Sequence, residues 1–360
     1  MKDSKKCIVL AAGGTGGHVF PAHVLAEELI SHKRSVFLFT DGRGASFKDT
    51  SVKMLRIPAS HIQGNLLKKG RGALLTLIGI LIALYHLLRI KPEAVVGFGG
   101  YASFPTIIAA CLLRIPTFIH QADAYFGRAN RLLAPFVTGI ATSFPYVENI
   151  PESLQKKVTF TGLPVRSDIK LSPYITPDEE DPFHLLVTGG SQGARIFGEV
   201  IPQAVLLLPE SIQKRLHIAQ QCRSEFLADV RSCYEKTKAK VELTPFLDQM
   251  GKRYKKAHLI IERAGASSVM ETAFAGRPAL FIPYPYAMDD HQFYNAQQVI
   301  SCHGGWMMRE EEFTPASLAN FLSDLITFPW KLRDAAVNIQ KIIMPDASSK
   351  LAHLVQFKTI

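Results

Sequence analysis

Short apolar runs alternate with longer segments of helical period along the chain. Cys7–Ala12, Ser35–Phe39, Ala94–Phe98, Thr117–His120, Leu185–Thr188 and Leu259–Glu262 are mostly apolar at consecutive positions. A strand covered on both faces reads as such a run, so these segments predict buried parallel strands. Pro21–Ser31 and Leu74–Arg89 predict helices between them. Strands and helices in alternation imply a doubly wound α/β fold.

The pattern repeats once. Gly13-Gly14-Thr15-Gly16-Gly17 follows the first strand, and Gly189-Gly190-Ser191-Gln192-Gly193 follows another strand 176 residues later. Both sit where a strand turns into a helix, which implies two Rossmann-like domains rather than one long sheet. A length of 360 residues fits about two domains. Between them, Gly162–Pro182 carries four prolines and the acidic run Asp178–Asp181, a linker composition whose charged block reads as a solvated loop.

Gly72–Leu88 is apolar for about the length of a membrane span and is flanked by Lys68, Lys69, Arg71, Arg89 and Lys91. A span would separate the Ser35 and Ala94 strands, which read as neighbours in one sheet. The segment is therefore expected to be a helix with Leu74, Leu77, Leu81, Leu84 and Leu88 toward the core. Leu75, Ile78, Ile82 and Tyr85 would face outward, and the basic flanks suit docking on an anionic membrane surface.

Lys plus Arg number 41 against 31 Asp plus Glu, a net charge of +10, which suits an anionic partner. The basic residues are spread and form no stripe interleaved with aromatics, which argues against nucleic acid. Apolar residues make up 47%, enough for full cores. The five cysteines form neither a C-x-x-C pair nor a zinc spacing, which excludes a disulfide scaffold and favours a reducing compartment. The first apolar run is too short, and broken too soon by glycine, for a signal peptide.

A glycine turn that opens a helix offers free N–H groups and a positive dipole end, both suited to phosphate. The Gly13–His18 turn is neither a P-loop nor a complete G-x-G-x-x-G, since Val19 stands at the third glycine position. Asp41 keeps a dinucleotide reading open. Gly97–Tyr101 forms a third glycine cluster after a strand, either for close helix packing or for the ligand crevice. Arg263–Glu271 reads as turn and helix start: Gly265–Ser268 present N–H groups and hydroxyls, and Glu271 either reaches a ribose diol or stabilises the helix dipole. Pro283–Asn295 holds Asp289, Asp290, His291 and Gln292, but the chain has no Asp-x-Asp.

The stretches Gly13–Ala22 (GGTGGHVFPA), Gly97–Pro105 (GFGGYASFP), Gly162–Arg166 (GLPVR), Gly189–Arg195 (GGSQGAR), Arg263–Thr272 (RAGASSVMET) and Pro283–Ala296 (PYPYAMDDHQFYNA) occur in order. Together they resemble the MurG family of peptidoglycan N-acetylglucosaminyltransferases, from about Cys7 to Asp346. The resemblance implies a GT-B fold: two Rossmann-like doubly wound domains facing a cleft. The N-terminal, acceptor and membrane-facing domain would be 1–163, with helices about 340–360 returning to it. Residues 164–339 would bind UDP-N-acetylglucosamine. The implied reaction is an inverting, metal-independent transfer, without cofactor, to the muramoyl 4-hydroxyl of lipid I on undecaprenyl diphosphate. It would give lipid II and UDP for peptidoglycan synthesis, at the cytoplasmic face of the inner membrane, by a peripheral enzyme.

Position by position, the resemblance implies donor contacts from Thr15, Gly16, Gly17 and Arg166, and a diphosphate contact from Ser191. It implies a uracil contact from the Leu247 backbone. Ala266, Ser267, Ser268, Val269, Met270 and Glu271 would cradle phosphate and ribose, and Gln292 would meet the sugar. Arg263 would brace the loop. Asp123 stands where the family carries a donor-contacting Asn, Gln121 replaces a carboxylate, and Leu163 replaces a common Asn. His18, at the helix start, is the candidate general base, with diphosphate binding or packing as its other reading. Other readings are a GT-B enzyme with a different lipid-linked acceptor, a nucleotide-sugar epimerase, a nucleotide-binding module, and an NAD oxidoreductase that the missing glycine disfavours.

Overall fold

The computed structural model describes residues 7–13, 16–41, 52–60, 66–190 and 193–357, with the side chains of 16–18, 66–69 and 357 excepted. Two compact units are formed, Met1–Val165 with Met344–Ile360, and Arg166–Ile343.

The first unit runs β1 (Cys7–Ala11), α1 (Gly16–Ser31), β2 (Ser35–Thr40), β3 (Lys53–Arg56), α2 (Leu66–Ile90), β4 (Ala94–Gly97), α3 (Gly100–Leu112), β5 (Thr117–Gln121), α4 (Arg128–Leu133), β6 (Gly139–Thr142) and β7 (Val158–Phe160). Among the described residues the strands form one parallel sheet, in the order β3-β2-β1-β4-β5-β6-β7. Strands β1, β4 and β5 are buried along their whole length, which is why they carry runs and not alternation.

In the second unit come β8 (Phe183–Thr188), α5 (Arg195–Leu207), α6 (Glu210–Arg215), β9 (Leu216–Gln221), α7 (Leu227–Tyr234), β10 (Lys240–Thr244), α8 (Met250–Lys256), β11 (Leu259–Glu262), α9 (Ala266–Ala275), β12 (Ala279–Phe281), α10 (His291–Ser301), β13 (Gly305–Met307), α11 (Pro315–Thr327) and α12 (Trp330–Asn338). Its strands are also parallel, in the order β10-β9-β8-β11-β12-β13. The last helix, α13 (Ala347–Phe357), joins the first unit: Leu351, Ala352 and Val355 enter the core beside Leu25 and Leu29 of α1. Ser349 Oγ donates to Glu28 Oε1 at 2.6 Å.

The core face expected for α2 is corrected by the structure, while Ile78 and Tyr85 are exposed as expected. Leu74, Leu77, Leu81 and Leu88 are 57%, 53%, 58% and 59% exposed. The buried stripe is Gly72, Thr76, Gly79, Ala83 and Leu87. The cause is close approach: a Cβ on Gly79 would lie 2.0 Å from the Pro58 carbonyl oxygen. Small residues let backbone meet backbone, and the leucines are displaced outward. Since β3 and β4, on either side of α2, lie in one sheet, the helix does not cross a bilayer between them.

The proline-rich stretch is no free tether. Arg277, 2% exposed, donates to Ser172 O at 2.9 Å, Ser172 Oγ at 2.6 Å and Pro173 O at 3.3 Å, and Tyr174 Oη donates to His258 O. The acidic run is exposed, as read from its charge, and Arg215 donates to the Asp178 and Asp181 carbonyls.

Candidate active site

Parallel strands place their C-terminal ends on one edge of a sheet, and open α/β folds bind ligands there. In the second unit β11 ends at Glu262 and hands over through Gly265 to α9. The first N–H groups of α9, at Ala266, Ser267 and Ser268, have no acceptor within the helix. Ser267 Oγ is buried and has no hydrogen-bond partner among the described residues. A buried hydroxyl without a partner costs about 1–3 kcal/mol, so this one marks a place where an acceptor arrives. Helix dipole, free N–H groups and hydroxyl together suit an anionic group.

One turn along α9, Glu271 meets Arg166. Their closest ion-pair distance is 3.3 Å, from Arg166 Nε to Glu271 Oε1, and Tyr254 Oη donates to Glu271 Oε2 at 3.5 Å. Burial pushes the Glu271 carboxyl up to about 7, against the pull of the Arg166 guanidinium. Within the run 266–271, the Val269 and Met270 side chains belong to the core. Both are buried, and the Val269 N–H already donates to Gly265 O at 3.0 Å.

The neighbouring loop is tied to this turn. Asn295 Nδ2 donates to Ala264 O at 3.0 Å. Gln292 Oε1 accepts the Tyr284 N–H at 2.9 Å, which fixes its amide on the loop and leaves its NH2 to donate. Arg263 donates to Ile282 O and Pro283 O, pairs with Glu310 and lies over the Phe197 and Tyr284 rings. It braces the loop, the role expected for it. Asp290 holds Arg309 through two bonds, at 3.0 and 2.8 Å, and His291 Nδ1 lies 2.8 Å from Met288 O. Leu247 is buried just beyond β10, at the same strand-end edge. Of the second glycine turn, Gly190 and Gly193 adopt φ of 75° and 65°, values that favour glycine, while Ser191 lies outside the described residues.

Sequence reading missed Glu262, the fully buried last residue of an apolar run. Its Oε1 accepts Thr272 Oγ1 at 2.6 Å, its Oε2 has no partner among the described residues, and burial pushes its pKa to about 8. The unfolded carboxyl sits near 4.5, so the folded state keeps a proton that the unfolded chain loses. Stability is therefore lost as pH rises from 4.5 through 8. In Glu262→Gln this slope should vanish, so that the wild type loses roughly 3 kcal/mol more than the variant between pH 5 and 8.5. Urea titrations at both pH values check it; equal slopes would refute it.

In the first unit, α1 begins at Gly16, so the backbone of Gly16, Gly17 and His18 forms its first turn; Thr15 and the His18 side chain lie outside what is described. Asp123 follows β5 on the strand-end edge. Gln121 organises its loop: Nε2 donates to Asp123 O at 2.9 Å and Tyr125 O at 2.8 Å, while Oε1 accepts from Gly127 N and Asn130 Nδ2. An ionised carboxylate has no donor for those two carbonyls, so the amide at this position is matched to the loop it holds. Asp123 and His18 thus stand in the first unit, and Arg166, Leu247, Ala266–Glu271 and Gln292 in the second.

Profiles of glycosyltransferase family 28 match both halves, the N-terminal domain over residues 8–142 and the C-terminal domain over 184–351. A Paramagnetospirillum magneticum protein is 47% identical over 99% of this chain and 97% of its own. It is named UDP-N-acetylglucosamine--N-acetylmuramyl-(pentapeptide) pyrophosphoryl-undecaprenol N-acetylglucosamine transferase. A Rhodospirillum centenum protein of the same name is 46% identical over 97% of this chain and 93% of its own. The chain belongs to the MurG family. The crystal structure of Acinetobacter baumannii MurG superposes with a TM-score of 0.81 at 29% identity, covering 98% of this chain and 99% of that one. The chain is a UDP-sugar glycosyltransferase of GT-B fold, as the six MurG-family motifs implied.

Proposed function

We propose that this enzyme transfers N-acetylglucosamine from UDP-N-acetylglucosamine to the muramoyl 4-hydroxyl of lipid I, giving lipid II and UDP. The carrying observation is the α9 N-terminus with its unpartnered Ser267 hydroxyl beside the Glu271–Arg166 pair. Near-identical length and high identity to relatives named for this reaction support it.

The donor diphosphate lies on the α9 N-terminus and the Gly189–Gly193 turn, with its ribose on Glu271 and its sugar by Gln292. As the bond from the anomeric carbon to the diphosphate breaks, negative charge grows on the leaving oxygen. The fixed N–H groups and helix dipole stabilise that charge without reorganising. The acceptor 4-hydroxyl attacks from the opposite side and inverts the centre, and His18 takes its proton. Asp123 and the turn at Thr15, Gly16 and Gly17 complete the donor and acceptor contacts. UDP release from UDP-N-acetylglucosamine should depend on an added short-chain lipid I analogue. In the same assay His18→Ala should lower kcat about 100-fold or more with little change in donor KM. Release independent of acceptor would overturn the transfer, and near-normal kcat in His18→Ala would overturn the base.

The acceptor carries a lipid, and the outer face of α2 is built for a membrane surface. Leu74, Leu77, Leu81, Tyr85 and Leu88 are exposed along one face of the helix. Arg89 lies over the Tyr85 ring at 5.0 Å, Arg71 lies within α2 near its start, and Lys91 follows its end. Apolar side chains rimmed by cations bind an anionic interface. The enzyme is thereby held peripherally on the cytoplasmic face of the inner membrane. Leu77→Glu with Leu81→Glu should cut sedimentation with anionic vesicles at least tenfold while leaving Tm unchanged; undiminished sedimentation would refute the assignment.

A further inference from the structure

A cavity of about 320 Å³ opens on the second sheet at the N-terminal ends of β8, β9 and β10. His184, in its wall, lies four residues before the end of β8, about 13 Å from the strand ends that carry α9. Its wall includes His184, Leu186, His217, Lys240, Arg253 and Lys256.

Strand register builds the wall. Lys240 pairs with His217, and His217 with His184. Cross-strand partners point to the same face, so three basic side chains stand in a row. The His184 ring centroid lies 5.1 Å from that of His217 and 5.3 Å from that of His258. His258 closes the row: its Nδ1 accepts the His184 N–H at 3.0 Å.

Charges face the row from β10, from α8 and from behind His258. β10 supplies Lys240 and Glu242, and α8 supplies Arg253 and Lys256. Glu242 is committed to Arg253 through two bonds at 2.8 and 2.7 Å, and Asp248 adds a third. Behind His258 stand Arg277, Arg215 and Asp181. Among the described residues neither Lys240 nor Lys256 has an ion-pair partner within 4 Å; Glu242, the one carboxylate of the wall, feels Lys256 as well as Arg253, and three cations against it leave the wall with a net positive charge. Burial and these lysines keep the imidazoles neutral: His184 is pushed down to about 4 and His217 is lowered. A divalent cation is disfavoured here, because the lysines repel it and His258 Nδ1 is already an acceptor. No group of three metal-ligating side chains occurs among the described residues. An anion meets two ammonium groups and two imidazoles able to donate.

We propose that this cavity is a second anion site, which binds the phosphate group of a small phosphomonoester between Lys240, Lys256, His184 and His217. A cavity of this size accommodates such a ligand. The bound phosphate accepts from the imidazole N–H groups and from both ammonium groups, and its negative charge raises the depressed imidazole pKa values.

The test uses the full chain saturated with UDP, which occupies the donor site. Histidine ring resonances are followed during titration with glycerol 3-phosphate, and in parallel with vesicles of phosphatidic acid in phosphatidylcholine. Saturable movement of His184 and His217, with an apparent pKa raised by at least one unit, is expected in at least one arm. The soluble arm alone identifies a free metabolite, and the vesicle arm alone a headgroup. Lys240→Gln with Lys256→Gln should weaken that response at least tenfold with unchanged Tm and turnover. No saturable shift in either arm, the same shift with chloride at equal ionic strength, or an undiminished response in the double variant overturns the proposal.

Discussion

Arg277→Ala is expected to destabilise the second unit by roughly 3–5 kcal/mol, the cost of removing a buried charge that holds a network together. The guanidinium joins three pieces of chain. It donates to Tyr254 O at 3.0 Å and Lys255 O at 2.9 Å, at the end of α8, and to Ala275 O and Gly276 O, both at 3.1 Å, at the end of α9. It also pins the 172–173 backbone. Carbonyls at helix C-termini lack intrahelical donors and carry the negative end of the dipole, so one cation satisfies two helix ends at once. Without it, buried carbonyls lose their partners, and α9 loses the anchor at its C-terminal end. Arg277→Lys should recover only part of the loss, because an ammonium group cannot span both helix ends. Urea unfolding with an unchanged m-value measures the effect; a loss below about 1 kcal/mol would contradict this role.

Glu271→Ala should lower kcat/KM for UDP-N-acetylglucosamine about 100-fold, mostly through KM. Hydrogen bonds to a charged group are worth about 1.5–3 kcal/mol each, and tenfold is 1.4 kcal/mol, so losing the grip on a diol gives an effect of this order. In the wild type the carboxyl titrates near 7. Above that pH it is ionised and is the stronger acceptor, so donor KM should rise as pH falls through about 7. Glu271→Gln should flatten this profile and accept the 2′-deoxy donor nearly as well as the natural one. An unchanged pH profile in Glu271→Gln would remove Glu271 from the ribose.

The central strands β1, β2, β4 and β5 of one sheet and β8 and β11 of the other were legible because burial on two faces writes itself as apolar sequence; Leu259–Glu262 is matched to the residue. Short edge strands such as Lys53–Arg56 carry polar residues and left no such signal. The α2 face was misread because closeness to Pro58 is decided by residue size, which the spacing of leucines does not report. At the site, glycine turns and Ser267 and Glu271 stood in recognisable order. Glu262, Tyr254 and Arg277 did not, since each acts through burial and partners far along the chain. Gln121 read in the sequence as the replacement of a carboxylate; its four hydrogen bonds make it the organiser of its loop.

The most direct test is the product itself. The purified enzyme, UDP-N-acetylglucosamine and a short-chain lipid I analogue are incubated in chelator, and the product is examined by mass and proton NMR. The account predicts a product heavier by one N-acetylhexosamine, β-linked to the muramoyl 4-hydroxyl. An α-linkage, a different attachment point, or no product beside an active control enzyme would contradict it.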